Sequence, residues 1–360
     1  MALTGVVDRH QVSAHLGALL TRAEELADRL RSAADTGDAA AAADARREAA
    51  LVASLRLDGS PLEALPAADA PIDDADDELG TAPAGDGRGG SWFDALRAFD
   101  EVPDATLLAR EARGVRAAAA ADDLLDDLAR APLATLGELH RRLTRGLLAP
   151  DRAAHLRTSD QAVHDASVGR VIYYTVEPAL LPTAADALDA WLRGPAQDLP
   201  PLVAAGVLHL EVLRLHPFEA ANGRLARAAS RLWLRRHGLD PAGLAVPELA
   251  LADDALGYHE EVARTLRRRD ATIWLERWAE AVVEGLRGSA RVLGVLDDAP
   301  GPAATATGLE PEFTIADLRD RLGLADLPAA AAHLEVLLDA GVVRRVPGAR
   351  GLRYRRVVGD

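Results

Sequence analysis

Cysteine is absent from the 360 residues, which excludes disulfide frameworks, thiolate zinc sites and cysteine nucleophiles. Long apolar runs are lacking too. No stretch reaches the roughly 18 uninterrupted apolar residues that a membrane-spanning helix needs, and the N-terminal segment has no apolar core behind a basic start. A cytoplasmic, reducing location without a membrane partner is the expectation. Basic charge is in deficit, with 41 Lys and Arg against 56 Asp and Glu and a net charge of −15. A broad coating of nucleic acid or anionic lipid is therefore disfavoured, and any anion this chain binds must be held locally. Hydrophobic residues, by contrast, make up 49% of the chain, which excludes a disordered polymer. The length leaves room for two or three domains of roughly 100–200 residues each.

Apolar positions at helical spacing predict helices over 9–33 and 38–57, the second ending at Asp58-Gly59. Together with the residues up to 64 they read as an N-terminal helical unit. Residues 65–90 turn to Asp, Ala, Pro and Gly and read as an acidic flexible linker or loop. A central unit over 91–295 resumes with helices at 91–130, where Trp92, Leu96 and Phe99 share a face, and at 135–147. A hairpin follows, from 156–163 to the β-branched and aromatic run 171–176, with its turn near Asp165 to Gly169. Further helices are expected at 184–194, 200–215, 222–238 and 271–293. A second linker, 296–311, leads to a module over 312–360. There, helices from Ile315 to Leu322 and Pro328 to Ala340 precede two short basic strand-like runs. The class is mainly α with small β elements.

The stretch from His216 to Arg227 carries the chemistry. Pro217 pushes His216 out of the helical region and leaves its imidazole on a loop. Asn222 reads as an N-cap that opens a new helix at Gly223. Arg224 and Arg227 then lie on one face of its first turns. Two guanidinium groups at the positive end of a helix dipole, with no carboxylate in the first turn, have the wrong sign for mere packing. They suit a bound polyphosphate, with backbone N–H groups and a glycine allowing close approach and an upstream histidine in reach as general base.

His216-Pro-Phe-Glu-Ala-Ala-Asn-Gly-Arg-Leu-Ala-Arg227 resembles the signature of the Fic family, H-P-F-x-(D/E)-(G/A)-N-G-R-x-x-R. The resemblance implies a Fic-type helical bundle with a β-hairpin flap, and an enzyme that transfers AMP from ATP to a Ser, Thr or Tyr hydroxyl of a target protein. It implies that His216 deprotonates the target hydroxyl and that Phe218 anchors the loop. Asn222 and the Gly223 backbone would hold the donor phosphates, Arg224 the β-phosphate and Arg227 the terminal one. The chain departs from the pattern where the family places an Asp or Glu that coordinates Mg or Mn: Ala220 stands there, and Glu219 is one residue early. The alternative is a catalytically weak relative that binds nucleotide, uses another phosphate-containing donor, or acts as a regulator. Segment 156–182 is similar to the family's flap, which pairs with the target as an added strand; the plain reading is a hairpin that covers the core.

Ser54-Leu-Arg-Leu-Asp58-Gly59 is similar to the inhibitory motif (S/T)-x-x-x-E-(G/N) of regulated Fic proteins. By that resemblance Asp58 pairs with Arg227, Ser54 supports it and Gly59 closes the helix. Asp is one methylene shorter than Glu, so a weaker brake is expected; the alternative is an Asp solvated at a helix end. Residues 312–357 resemble the winged helix-turn-helix domain found appended to Fic proteins. The second helix offers alanines, His333 and Glu335 in place of base readers, while the wing carries Arg344, Arg345, Arg350, Arg353, Arg355 and Arg356. Docking to protein and phosphate contact with DNA both stay open, and a second copy of the chain is a candidate partner.

Overall fold

A computed structural model describes residues 12–33, 40–67, 104–164, 170–296, 309–346 and 352–357. The stretch 68–103, with Trp92, Leu96, Phe99 and most of the expected linker, lies outside the described residues, as do the hairpin turn 165–169 and Arg350.

The chain is mainly α. Its centre is the helix Pro201–Leu215 (α7), whose sequence is predominantly apolar and which is buried from Leu202 to Val212. Helix α8 (Asn222–Arg236) packs along it. On another side Trp274 and Trp278, from the helix Thr272–Val292 (α11), donate their indole N–H groups to the Gly206 and Leu202 carbonyls at 2.7 and 3.1 Å. A Cβ on Gly206 would stand 2.6 Å from the Trp278 ring, so glycine there permits the close crossing. The N-terminal helices α1 (Ala14–Ala33) and α2 (Ala40–Leu57) complete the shell, α1 lying along α11. Their buried leucines and alanines join the same core. Between α2 and α7 the chain forms α3 (Asp104–Ala119), α4 (Asp127–Arg130), α5 (Pro132–Thr144), the antiparallel pair β1 (Ala162–His164) and β2 (Val171–Tyr174), and α6 (Leu181–Arg193).

Two helices were missed in the sequence, α9 (Pro247–Ala252) and α10 (Ala255–Arg268). The buried face of α10 includes Tyr258, Glu261 and Thr265, and polar residues facing inward blur the apolar period. A signal was present in Asp254, whose carboxylate caps α10 by accepting from the Gly257 N–H at 3.1 Å. Arg235 meets Asp122 and the Ala119 carbonyl.

The C-terminal module has its own small core, including Phe313, Leu318, Leu337 and Tyr354. Its helices are α12 (Ile315–Leu322) and α13 (Leu327–Asp339), beside a sheet ordered β3 (Glu312–Thr314), β5 (Arg353–Arg356), β4 (Val343–Arg345). Strand β3 was not foreseen. The end of α13 docks on the helical core. Arg287 of α11 donates to Glu335 and Asp339, Arg22 of α1 also meets Asp339, and Arg291 donates to the Asp339 and Leu338 carbonyls. Cations at the negative end of a helix dipole are favourable there. Among the described residues no helix is long and apolar enough to cross a membrane.

Candidate active site

Helix α7 ends at Leu215 because Pro217 follows, and His216 turns into the left-handed region (φ 48°), its N–H still bonded to the Val212 carbonyl at 2.9 Å. That conformation costs a non-glycine residue roughly 1–2 kcal/mol, so the surroundings must hold it. Arg157, 2% exposed, does so. Its guanidinium donates to the carbonyls of His216, Leu215 and Val176 and to Thr175 Oγ1, and its own N–H donates to the Pro217 carbonyl at 2.9 Å. One buried arginine thus fastens the hairpin to the motif loop.

Beneath the loop, the His140 ring lies 4.3 Å from that of Phe218. His140 Nδ1 accepts from the Ala154 N–H at 3.0 Å, so Nε2 carries the proton and donates to the Ala220 carbonyl at 3.1 Å. Asn222 differs from expectation. Its amide oxygen accepts from the Phe218 N–H at 3.0 Å and its amide nitrogen donates to the Phe218 carbonyl at 2.8 Å. The cap position belongs to Ala221, left-handed at φ 56° with no side-chain cap bond. Asn222 therefore shapes the loop, and its amide is already engaged on both sides.

The His216 ring keeps one nitrogen available. Nδ1 lies 3.3 Å from the Leu213 carbonyl; a carbonyl only accepts, so Nδ1 is the protonated nitrogen and Nε2 bears the lone pair. Burial lowers the pKa of this imidazole to about 4, leaving it neutral at pH 7.

Arg224 and Arg227 face inward, each 1% exposed. Carboxylates from distant segments compensate them. Arg227 donates through Nη2 to Asp58 Oδ1 at 2.8 Å and to the Ser54 carbonyl at 2.7 Å, and through Nε to Ser54 Oγ at 2.7 Å. Arg224 donates through Nε to Asp58 Oδ2 at 3.2 Å and through Nη1 to Glu111 Oε1 at 3.1 Å. Glu111, not foreseen in the sequence, is buried and accepts from Ser60 Oγ at 2.9 Å. Burial opposes ionisation of Asp58, but Arg227 and Arg224 outweigh it and hold its carboxyl below the usual range. Gly59 (φ 86°) ends α2 and sends the Ser60 N–H back to the Leu55 carbonyl at 3.1 Å. The short Asp58 side chain reaches both arginines because α2 comes very close to the start of α8: a Cβ on Gly223 would lie 2.4 Å from Asp58 Oδ1.

Behind Arg227 runs a hydrogen-bonded chain. Ser230 Oγ donates to backbone carbonyls of α8, so it accepts from His209 Nδ1 at 3.2 Å. His209 Nε2 then accepts from the Tyr258 hydroxyl at 2.7 Å, which lies beside Arg227. His209 is fully buried, and burial keeps it neutral.

The sequence profile of the Fic/DOC family matches residues 131–234, the span that holds the loop, the hairpin and both arginines. The chain carries a Fic/DOC family domain. A Fic family protein from Desulfovibrio desulfuricans is similar in fold, with a TM-score of 0.56 and 21% identity over 98% of each chain. A fragment of Fic-1 from C. elegans gives a TM-score of 0.50 and 18% identity, covering 79% of this chain and 73% of that one. Among curated proteins none matches. The Fic domain departs from the family pattern at its cation position. Ala220 contributes a methyl group, its carbonyl is taken by His140, and Glu219 is paired with Arg152. Among the described residues no three His, Asp or Glu side chains gather to hold a metal. A hard divalent cation needs oxygen ligands, and the residues here do not fit one.

Burial lowers His140, His216 and His259 each to about 4, whereas an unfolded histidine titrates near about 6.5. Between those values the unfolded chain binds more protons than the folded one, so stability rises with pH across that window. The slope is up to about 1.4 kcal/mol per pH unit for each histidine. The melting temperature should fall progressively from pH 7 to pH 5, and calorimetric scans flat over that range would contradict the burial of these rings.

Proposed function

We propose that the chain is a protein adenylyltransferase: it binds ATP at the start of α8, transfers AMP to a hydroxyl of a target protein, and is restrained by Asp58. Fic domains transfer phosphate-containing groups onto proteins; AMP as the group is the reading advanced here. The observation that supports it best is the Asp58 carboxylate, held by two buried arginines over a glycine at a helix N-terminus. An anion already occupies the ground that a nucleotide's terminal phosphates need. In the transfer itself, His216 Nε2 takes the proton of the target hydroxyl. The freed oxygen bonds to the α-phosphorus, and the bond from that phosphorus to the bridging oxygen breaks, releasing pyrophosphate. Arg224 and Arg227 stabilise the negative charge that gathers on the departing phosphates. The edge of the β1–β2 hairpin is the natural rest for the target backbone, with Tyr174, 77% exposed, facing outward.

Incubation with ATP labelled in the α-phosphate tests the reading. Label on the chain itself or on added proteins, enhanced in Asp58→Gly and lost in His216→Ala, is the expected result; absence of label in both wild type and Asp58→Gly removes it. Ala220 favours a second reading, nucleotide binding with slow or no transfer. Either way, nucleotide affinity should change less than twofold between EDTA and millimolar Mg²⁺, while Ala220→Asp should make it Mg²⁺-dependent by about tenfold, or ~1.4 kcal/mol. Titration calorimetry measures both.

The same proposal gives the C-terminal module an internal role. The acidic residues of α13 are engaged by Arg22 and Arg287, and its exposed residues, among them Leu327 and Val336, supply no donors for reading bases.

A further inference from the structure

We propose that Tyr173 is a ligand for the donor's terminal phosphate: its hydroxyl binds the phosphate that takes the place of Asp58. This rests on the nucleotide reading above and extends it to a residue outside the 216–227 motif.

The two tyrosines of strand β2 face opposite ways. Tyr174 points out, while Tyr173 points in and is 7% exposed. Its hydroxyl is buried with no hydrogen-bond partner among the described residues. An unpaired buried polar group is costly, and folds keep such groups rarely, so each needs a reason. The hydroxyl is not alone. His259 Nδ1 is also buried and unpartnered. The two atoms come from separate elements, β2 and α10, which pack against each other.

Asp58 acts electrostatically on Tyr173, Arg227 and His259 alike, and it is hydrogen-bonded to Arg227. Burial, followed by neighbouring Tyr258 and Asp58, raises the Tyr173 phenol well above its ordinary value, so it stays protonated and can donate. A carboxylate has two oxygens, and Asp58 spends one on Arg227 and the other on Arg224. A terminal phosphate has three non-bridging oxygens. The third is the acceptor that Tyr173 Oη lacks. Adjacent residues of one strand would then serve the two substrates, Tyr173 the donor phosphate and Tyr174 the side from which the target approaches.

The test uses the full chain carrying Asp58→Gly, with and without Tyr173→Phe, titrated calorimetrically with ATP, inorganic pyrophosphate and AMP. Tyr173→Phe should weaken ATP or pyrophosphate by about tenfold and leave AMP unchanged. Loss on both assigns the nucleotide's phosphate tail, and loss on pyrophosphate alone assigns the free anion; each supports a phosphate ligand. The ligand-free melting temperature should stay equal or rise, because the substitution deletes a buried hydroxyl that nothing satisfies. Equal affinities in the two proteins, an equal loss on AMP, or a drop in ligand-free melting temperature would overturn the assignment and leave Tyr173 a packing residue. If Asp58→Gly alone binds none of the three ligands, the phosphate site itself falls, and the role of Tyr173 with it.

Discussion

Replacing Asp58 with glycine should tighten ATP binding by about tenfold or more, equivalent to ~1.4 kcal/mol per factor of ten. On the proposed reading, the nucleotide must first expel a carboxylate that two buried arginines hold in the wild type, so the measured affinity is the intrinsic one reduced by the fraction of molecules with the site open. The variant removes that competition, and Gly223 stays free for a phosphate to approach. It also unbalances charge. Removing one partner of a buried ion pair costs about 3–5 kcal/mol. Here Asp58 is partly exposed, Arg224 retains Glu111 and Arg227 retains Ser54, which brings the expected loss to about 1–3 kcal/mol. The ligand-free melting temperature should therefore fall while the ATP-induced rise grows. Asp58→Asn, which keeps the shape without the charge, should lie between. Unchanged ATP affinity in Asp58→Gly, measured calorimetrically, would sink the inhibitory role.

The second large effect is expected from His216→Ala. Loss of a positioned general base typically slows a reaction about 10²–10⁴-fold, and transfer should fall by that amount in the Asp58→Gly background. Nucleotide affinity should change little, because the arginines belong to α8 while the imidazole sits on the preceding loop. With its pKa drawn down to about 4 by burial, the base is already neutral throughout the physiological range. Transfer should thus show no rise between pH 6 and 8 attributable to this group; a sigmoidal increase centred near pH 6.5 that disappears in His216→Ala would contradict the tautomer and burial described above.

The part of the site that lies within twelve residues was legible before any coordinates, because proline geometry and the unbalanced arginines are local facts. The pairing of Asp58 and Ser54 with Arg227 was also indicated, by resemblance rather than by spacing. What sequence could not supply was the partners that tertiary packing brings in. Glu111 and His140 lie tens of residues away and stand in no pattern that marks them, while Arg157 and Tyr173 fell within the segment resembling a flap, which gave neither of them a role of its own. His209 is likewise unmarked, since nothing near it announces Tyr258. Asn222 failed for a different reason: its capping preference was real, but two backbone groups of Phe218 claimed its amide first. In the fold, helices with clean apolar stripes were found to within a few residues, and α10 was lost because its inner face includes a glutamate and a threonine.

The grip of Arg22, Arg287 and Arg291 on the end of α13 ties the fate of the polypeptide's opening helix to that of its closing module. Arg287, whose side chain is 2% exposed, has Glu335 and Asp339 as partners from that module and otherwise Glu284 of its own helix. Trimming the protein back to its catalytic portion would strand this cation in a dry setting and loosen α1, the neighbour in sequence of the segment that ends at Asp58. On the proposed reading, a shortened form would be both less robust and less restrained, and transfer measured on it would exceed that of the 360-residue chain.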